Sequence, residues 1–456
     1  MPTEPTSSIV RLACSPNNFP WGKTGKSSLV AQFAPNACEP NFTIKESETY
    51  SELWMGSHPT NPASIYPSGP VLSEHIAAHP EALGDASKFP APFTGKGTTE
   101  GEGGHVPFLF KILCCKQALP MQIHPNKKVA EDLHSKDPEQ FPDTNHKPEI
   151  AVCLSDRFLG FAHFRPLSEI TSLFRAIPEL ESVSSYLQVK LRAFTTGGVQ
   201  AGASSLKDAW VGVLAKESEK ELGKVMSQVA KRVAKEGVGA WSSLDSEGEV
   251  WTEKVRSNLT EAVGILEEYN PGDPSSLAAL LFMNLVELKK GEGMYVGADG
   301  LHAWLQGDIV ELMALSDNVL NVGFTSRSEI DEHLPIVQES ITFQSVDPSS
   351  IALSRTPFVK GLKRNTTVYS VPFEEFSILH TVGEEEMEAF TGPAIGIVTS
   401  QEAVTVGAKG EEGVRYERGS VFFVPAHTGF RTDGNGEVWM AFYDGDDKTK
   451  DQVGSQ

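Results

Sequence analysis

Residues 108–128 read F-L-F-K-I-L-C-C-K-Q-A-L-P-M-Q-I-H-P-N-K-K, an apolar run followed by a short polar stretch. The apolar run, bounded by turn residues, predicts a buried strand. Gln122 and His124 stand two residues apart, so in a strand both side chains would project from the same face. Pro125 would end strand pairing directly afterwards, at a rim where sites are often built. The stretch therefore predicts a β domain with an amide and an imidazole side by side at its edge.

The same pattern, typical of strands, extends over residues 8–165, where short apolar runs are broken by frequent Gly and Pro. Between 166 and 290 the pattern becomes helical. Asp273 followed by Pro274 is typical of a helix start. One amphipathic helix is indicated by the spacing of Leu222, Val225, Met226, Val229 and Val233.

Strand-like runs resume after residue 291 and continue from 346 towards the C-terminus, separated by turn residues at short intervals. Many short strands with Gly-rich turns are typical of β-sandwiches or jelly rolls. A length of 456 residues favours two or three domains. The sequence thus predicts a mainly β protein that is interrupted by an α-helical domain.

Composition limits which classes of partner the protein can bind and which cellular compartment it suits. The formal net charge of −21 argues against nucleic acid and against anionic membrane surfaces, because most of the protein surface would repel them. The N-terminus has no basic and apolar segments typical of a signal peptide, and no apolar run reaches the length of a membrane helix. Five cysteines without C-x-x-C spacing suit a reducing compartment. We expect a cytoplasmic protein.

Three separate segments carry side chains that can bind a metal ion. They are the segment with Gln122 and His124, the segment N-H-K-P-E (145–149) with Glu149 and the further option His146, and the segment G-A-D-G-L-H-A-W (297–304) with His302. Imidazoles, a carboxylate and an amide oxygen would suit a borderline divalent ion such as zinc and leave a position open for substrate. The alternative for each histidine is an ordinary surface or hydrogen-bonded core residue.

Charged residues near these segments are the next candidates. Lys111 and Lys147 could face the same cleft and oppose the acidic surface, although solvated lysines are the usual case. Glu311 and Asp317 are candidates for acid or base chemistry, with surface or turn roles as the alternative.

Six segments, in this order, resemble the type I mannose-6-phosphate isomerases. They are N-F-P-W-G-K-T-G (18–25), E-L-W-M-G-S-H-P (52–59), F-L-F-K-I-L (108–113), Q-I-H-P-N-K-K (122–128), N-H-K-P-E (145–149) and H-A-W-L-Q-G-D-I-V-E-L-M-A-L-S-D-N (302–318). The resemblance covers most of the chain and is weakest in the helical region and towards the C-terminus.

The resemblance implies a cupin-type zinc enzyme with two jelly rolls. Residues 8–165 together with 291–345 would form the catalytic jelly roll, 166–290 the inserted helical domain, and 346–450 the C-terminal jelly roll. The implied reaction interconverts mannose 6-phosphate and fructose 6-phosphate through an enediol and feeds GDP-mannose synthesis. One zinc ion per chain and a monomer that binds a small sugar phosphate are expected.

The family motifs also imply roles for individual residues. The zinc ligands would be Gln122, His124, Glu149 and His302. Substrate binding is expected of Lys111, Trp21, Trp304 and Arg327, and the catalytic positions are Lys147, Glu311, Asp317 and Asn321. The base that moves the proton stays open between Glu311, Asp317 and a histidine or lysine of lowered pKa.

Three positions depart from the family pattern. Pro120 stands where the family has a serine, Trp304 where it has a tyrosine, and Asn321 where it has an active-site arginine. The exchange at Asn321 weighs most, because it removes a permanent charge and a bidentate donor from a site for an anionic substrate. Three hypotheses follow: an active or slowed mannose-6-phosphate isomerase, a diverged enzyme for another sugar or hydroxy-ketone, and a zinc-binding protein without catalysis.

Overall fold

A computed structural model describes residues 8–90, 104–195 and 202–446. The strands up to residue 323 are β1 Val10–Ala13, β2 Pro16–Asn17, β3 Lys23–Thr24, β4 Thr49–Tyr50, β5 Glu52–Met55, β6 Ser64–Ile65, β7 Phe108–Cys115, β8 Met121–Ile123, β9 Glu149–Cys153, β10 Arg157–Phe164, β11 Met283–Lys289, β12 Gly293–Val296, β13 His302–Ala314 and β14 Leu320–Gly323. The remaining strands are β15 Arg355–Pro357, β16 Thr366–Tyr369, β17 Ser377–Val382, β18 Glu385–Met387, β19 Ala394–Val398, β20 Val404–Ala408, β21 Val414–Tyr416, β22 Val421–Val424, β23 Phe430–Asp433 and β24 Glu437–Phe442. The helices are α1 Leu29–Ala37, α2 Leu72–Ala78, α3 Lys127–Lys136, α4 Leu167–Ala176, α5 Ser185–Thr195, α6 Ala203–Leu214, α7 Glu219–Glu236, α8 Glu253–Tyr269, α9 Pro274–Phe282 and α10 Arg327–Ser340.

Strand β13 organises the first β unit. Its N-terminal half pairs with β10 and β8, and its C-terminal half pairs with β7 and β9. Gly307 lies between the halves with a φ of +128°, and a Cβ there would come within 2.9 Å of the backbone of Phe158. Because only glycine adopts this conformation without strain, Gly307 lets one strand serve both parts of the sheet.

The helices α4–α9 form the inserted helical segment. The predicted face of α7 is buried, from Leu222 to Val233, and the carboxylate of Asp273 accepts a hydrogen bond from the N–H of Ser275 at the start of α9. Helix α9 ends at Phe282 and β11 begins at Met283, so strand structure resumes before residue 290, where the helical segment was expected to end. The continuous apolar run from 277 to 286 contains both a helix end and a strand start, which periodicity alone does not separate.

The C-terminal β unit is a sandwich of two sheets. An eight-stranded sheet has the order β15-β16-β17-β24-β19-β22-β1-β6, and a four-stranded sheet has the order β18-β23-β20-β21. Strand β1 pairs with β22 through Val10 and Phe423, so the first strand of the chain completes the C-terminal sheet. From its position in the sequence, β1 was expected in the catalytic jelly roll, whereas its hydrogen bonds join it to the C-terminal sheet.

Apolar side chains join the two β units. One buried cluster contains Phe108, Phe110 and Ile112 of β7 together with Ile378 and Trp439 of the C-terminal sheet. Alternate residues of β7 therefore face the second unit, and the residues between them face the interior of the first. The predicted architecture, a mainly β protein with an inserted helical segment, is confirmed. Within the described ranges, no helix is long and apolar enough to cross a membrane.

Candidate metal centre and active site

One buried cluster, the metal group, consists of His124, Glu149 and His302, whose side chains can all bind a metal ion. Each residue offers one possible ligand atom, and these three atoms all lie within 4.8 Å of one another. The Nε2 of His124 lies 3.1 Å from Glu149 Oε1, and the Nε2 of His302 lies 3.2 Å from Glu149 Oε2. Both Nε2 atoms and Glu149 Oε2 are buried without a hydrogen bond of acceptable geometry. Buried polar atoms normally have partners, so three such atoms that converge fit a metal ion.

The two imidazoles are oriented from behind by main-chain carbonyls. His124 Nδ1 lies 2.9 Å from the carbonyl oxygen of Asn318, and His302 Nδ1 lies 3.0 Å from that of Gly300. A carbonyl only accepts, so each Nδ1 carries the proton and each Nε2 keeps its lone pair for a metal. Burial lowers the pKa of His124 to about 4, which keeps the ring neutral at physiological pH.

Strand pairing brings Gln122 to the same group. It lies in β8 directly opposite His302 of β13 and opposite Asn321 of β14. Directly opposite residues project from the same face with Cβ atoms about 5 Å apart, so the amide of Gln122 lies beside the His302 ring. The four predicted ligand positions thus come from three strands and the turn after β8.

A second charged group lies in the interior of the same β unit. Lys111 Nζ lies 3.2 Å from Glu311 Oε2 and 3.4 Å from Glu52 Oε2. The indole N–H of Trp304 donates to Glu311 Oε1 at 2.7 Å, and that of Trp54 donates to Glu52 Oε2 at 2.7 Å. Burial raises the pKa of Glu311 although Lys111 opposes it. Burial would lower the pKa of Lys111, but the two carboxylates raise it above its usual range.

The remaining predicted polar residues lie close to the metal group. Lys147 Nζ is 3.7 Å from Glu149 Oε1, and the lysine side chain is itself partly exposed. Asp317 Oδ1 is 3.0 Å from His58 Nε2, and this contact lowers the pKa of Asp317 although burial opposes it. The residues Lys111, Lys147, Glu311 and Asp317 are therefore brought together with the metal group by one β unit.

Four predicted residues have other surroundings. His146 Nε2 lies 2.5 Å from Glu375, so this imidazole joins the C-terminal unit rather than the metal group. Arg327 donates to the carbonyl of Leu214 at 2.8 Å and pairs with Asp331, at the junction with the helical segment. Trp21 stacks on Phe19 at 4.5 Å and packs against the apolar cluster that contains Trp304. The amide of Asn321 donates to Glu329 at 2.7 Å.

The fully buried carboxylate of Asp143 ties two site loops together, and sequence analysis did not select it. Its oxygens accept hydrogen bonds from the Asn145 N–H at 2.9 Å, the Ser316 hydroxyl at 2.8 Å and the Asp317 N–H at 2.8 Å. Its Oδ1 also accepts from the Asn318 amide at 3.1 Å. Because Asn318 in turn holds the His124 ring, Asp143 supports the metal group indirectly.

Glu52, Trp54 and His58 were also not selected, although the segment E-L-W-M-G-S-H-P contains all three. The alternation in β5 offers a signal, because Glu52 and Trp54 lie on one face of that strand. The partner of that face is unknown until β5 is paired with β7. The site residues that were missed are therefore those whose role depends on a distant strand.

A jelly-roll β unit whose interior directs two imidazoles and a carboxylate at one point defines a cupin-type protein with a candidate metal site. The family described as phosphomannose isomerase type I, catalytic domain, matches residues 9–167. The chain is 33% identical to mannose-6-phosphate isomerase of Candida albicans over 429 residues, covering 91% of this chain and 92% of the relative. It is 31% identical to mannose-6-phosphate isomerase of Saccharomyces cerevisiae, covering 96% of this chain and 98% of the relative.

Solved structures agree in fold. Phosphomannose isomerase from Salmonella typhimurium, determined as a lysine-to-alanine mutant, superposes with a TM-score of 0.72 at 24% identity, covering 96% of this chain and all of that chain. A mannose 6-phosphate isomerase bound with zinc and yttrium gives a TM-score of 0.73 at 22% identity, with the same coverage. The chain belongs to the type I phosphomannose isomerase family, whose curated members are aldose–ketose isomerases. The family resemblance and the enzyme class expected from sequence are confirmed.

Proposed function

We propose that the protein is a zinc-dependent isomerase that interconverts mannose 6-phosphate and fructose 6-phosphate. The main support is the convergence of three buried atoms without hydrogen bonds, His124 Nε2, His302 Nε2 and Glu149 Oε2. The chain also aligns with mannose-6-phosphate isomerases over most of its length. This arrangement favours an occupied metal centre, because three buried polar atoms without partners cost stability unless something binds them, and the alignment with mannose-6-phosphate isomerases favours catalysis at that centre.

His124, Glu149, His302 and Gln122 are the proposed ligands of one zinc ion per chain. Main-chain carbonyls orient both imidazoles, and the pKa of Glu149 lies below its usual range although burial opposes this, so two imidazoles and a carboxylate match the His2Glu donor set of catalytic zinc sites, to which Gln122 adds an amide oxygen. A bound zinc ion would polarise sugar oxygens and stabilise the negative charge that develops on them. A related structure that contains zinc supports the choice of metal.

Proton transfer between C1 and C2 needs a base, and Glu311 is our candidate. Burial raises the pKa of its carboxyl, which brings it closer to the pH at which a base both accepts and releases a proton. The indole N–H of Trp304 fixes one oxygen at 2.7 Å, and Lys111 holds the other at 3.2 Å. Asp317 is the alternative base, but its lowered pKa makes it the weaker proton acceptor.

The two lysines are proposed to serve different purposes. Lys111 is buried between two carboxylates, so it stabilises the anionic interior and orients Glu311. Lys147 is only partly buried beside Glu149, so its ammonium group can meet an anionic sugar as it enters. A net-negative surface makes such a local cation the main attraction for a sugar phosphate.

The wider setting follows from the same assignment. We propose that the protein works as a cytoplasmic monomer that binds a small sugar phosphate without nucleic acid or membrane partners, and that its product flux feeds GDP-mannose synthesis. The five free cysteines, all buried, are compatible with a reducing compartment.

The test converts the fructose 6-phosphate that forms into glucose 6-phosphate with an added isomerase, and a dehydrogenase then oxidises glucose 6-phosphate and reduces NADP. Purified protein loaded with zinc is assayed with mannose 6-phosphate, then after removal of metal by a chelator, and again after zinc is restored. We expect activity that disappears with the metal and returns with zinc. Bound zinc is counted by mass spectrometry of metals, with one equivalent per chain expected.

Two matched variants locate the site. Glu149→Gln removes the ligand charge and should abolish zinc retention and activity, whereas Glu402→Gln makes the same change at an exposed position and should alter neither. Zinc-loaded protein without turnover of mannose 6-phosphate would contradict the proposed reaction. Full activity in Glu149→Gln would contradict the proposed metal centre.

A further inference from the structure

Beside the metal group, the edge strand β14 carries an uncharged side chain that is bound to a carboxylate. Asn321 lies opposite Gln122, which lies opposite His302. The Asn321 amide donates to Glu329 Oε1 at 2.7 Å, and the hydroxyl of Thr325 donates to Glu329 Oε2. Glu329 comes from the first turn of α10. Asn321 therefore holds the Glu329 carboxylate, and the residue opposite Asn321 in the strand pair is the proposed zinc ligand Gln122.

Within the described ranges, this carboxylate has the positive end of the α10 dipole beside it but no lysine or arginine as an ion-pair partner. Lys111 is shared by Glu52 and Glu311, and Lys147 lies against Glu149. Among the ion pairs of the described residues, none involves Glu329. Both of its oxygens instead accept hydrogen bonds from neutral groups, Asn321 and Thr325, which hold the charge in place without cancelling it.

A fixed negative charge near the sugar site acts differently on different sugars. It repels the dianionic phosphate of a sugar phosphate, whereas it has little effect on a neutral sugar of the same ring. Asn321 and Glu329 are only partly buried, so the repulsion is weakened by solvent and by salt. A single charge at roughly 10 Å from a dianion at low ionic strength changes affinity by a factor of about 3 to 10.

We propose that Glu329, held by Asn321 and Thr325, is a specificity-determining residue that weakens binding of phosphorylated sugars relative to unphosphorylated ones. This inference rests on the proposed isomerase function of the same site. It assigns to α10 a role in substrate choice. The phosphate keeps its charge throughout the reaction, so its repulsion by Glu329 is the same in the ground state and the transition state and changes KM rather than kcat.

The test compares KM and kcat for mannose 6-phosphate and for mannose in zinc-loaded wild type and Glu329→Gln. The glutamine keeps an acceptor for the Asn321 amide and removes the charge. At about 20 mM ionic strength, where screening is weak, KM for mannose 6-phosphate should fall about 3- to 10-fold. KM for mannose and both kcat values should stay within about twofold, and the effect should shrink at high salt because the Debye length shortens.

Glu339→Gln is the matched control. Glu339 is an exposed carboxylate near the C-terminal end of the same helix, roughly 15 Å farther along its axis, so the same loss of charge should leave KM unchanged. A second variant, Asn321→Arg, places a cation beside Glu329 and should also lower KM for mannose 6-phosphate. Thermal midpoints of all variants verify that they fold.

The outcomes separate this inference from the proposed function. Equal KM shifts for both sugars, no shift in Glu329→Gln, or an equal shift in Glu339→Gln would each overturn the role of Glu329. Absence of turnover in wild type would refute the proposed reaction instead. In that case, calorimetric binding of mannose 6-phosphate to wild type and Glu329→Gln decides the inference, and equal dissociation constants would overturn it.

Discussion

Replacing Lys111 by methionine tests whether the interior of the catalytic β unit depends on one buried cation. Methionine keeps most of the length of the side chain and removes the charge. In the wild type, the ammonium lies 3.2 Å from Glu311 and 3.4 Å from Glu52, and all three groups are buried. The variant therefore leaves two carboxylates facing each other without a counter-charge.

The magnitude follows from these distances. At an effective dielectric constant of about 20, each ion pair at 3.2–3.4 Å corresponds to about 5 kcal/mol of Coulomb attraction. The desolvation cost of burying the lysine offsets much of this, and losing one partner of a buried ion pair typically costs about 3–5 kcal/mol. We expect a loss of about 3 kcal/mol at pH 8, which lowers the thermal midpoint by roughly 3 °C when the 456-residue chain unfolds as one unit, because the entropy of unfolding is about 2.1 cal/mol/K per residue.

The loss should depend on pH in a defined direction. Burial already raises the pKa of Glu311, and removal of Lys111 raises it further. A carboxyl group with a folded pKa above its unfolded value adds stability at low pH and loses it as pH rises through the folded pKa. The deficit of Lys111→Met should therefore shrink between pH 8 and pH 5, where the carboxyl can take up a proton.

The assay is the thermal midpoint at pH 5, 6, 7 and 8, measured for Lys111→Met, Glu311→Gln and the double variant. The double variant removes one of the two unpaired anions and should recover at least about 1 kcal/mol relative to the sum of the single changes. Lys290→Met, at an exposed position, is the control for a general loss of positive charge. A deficit below about 1 kcal/mol, or one independent of pH, would refute the reasoning.

Three further predictions concern the metal and the loops around it. Zinc at 100 times its dissociation constant should stabilise the folded protein by about 2.7 kcal/mol, so chelation should lower the thermal midpoint, and a midpoint insensitive to zinc would contradict the metal centre. Asp143→Asn should weaken zinc binding on the order of 10- to 100-fold, measured by competition with a chelating dye, because one of the two acceptor oxygens that hold the loop behind His124 becomes a donor. Asp132→Asn on α3 is the control. The contact with His146 lowers the pKa of Glu375 although burial opposes it, so this pair stabilises the protein above the unfolded pKa and loses the contribution as pH falls through the folded pKa. Wild type and Glu375→Gln should therefore differ in thermal midpoint at pH 7 and converge only as the pH falls below about 4 and through the lowered folded pKa of Glu375, and a constant difference would contradict the linkage.

Local patterns were sufficient for the elements and for most candidate ligands. The spacing from Leu222 to Val233 predicts α7, and Asp273 with Pro274 predicts the start of α9, because both signals involve neighbours in sequence. The segments with Gln122, Glu149 and His302 were selected because their polar groups interrupt apolar strands. The end of α9 at Phe282 was not predicted, because it lies in a continuous apolar run that carries no periodic signal.

Pairings between distant residues were not predictable in the same way. His146 was an option for the metal group, but a contact 229 residues away along the chain turns it towards Glu375. Strand β1 was expected in the catalytic unit, but its hydrogen bonds go to β22 near the other end of the chain. A short strand shows which residues share a face, and its sequence does not state which sheet edge it will join.

The amino-acid sequence by itself determined the order of β, helical and β segments, the family, and the residue types able to hold a metal ion. Only the tertiary structure decided that Lys111 meets Glu311, 200 residues away, and that Asp143 supports His124 through Asn318. It also decided that the uncharged Asn321, which lies opposite Gln122, donates a hydrogen bond to the carboxylate of Glu329. The reason is physical: propensity and periodicity act over a few residues, whereas the charge environment of each group is set by strand register and packing across the whole chain.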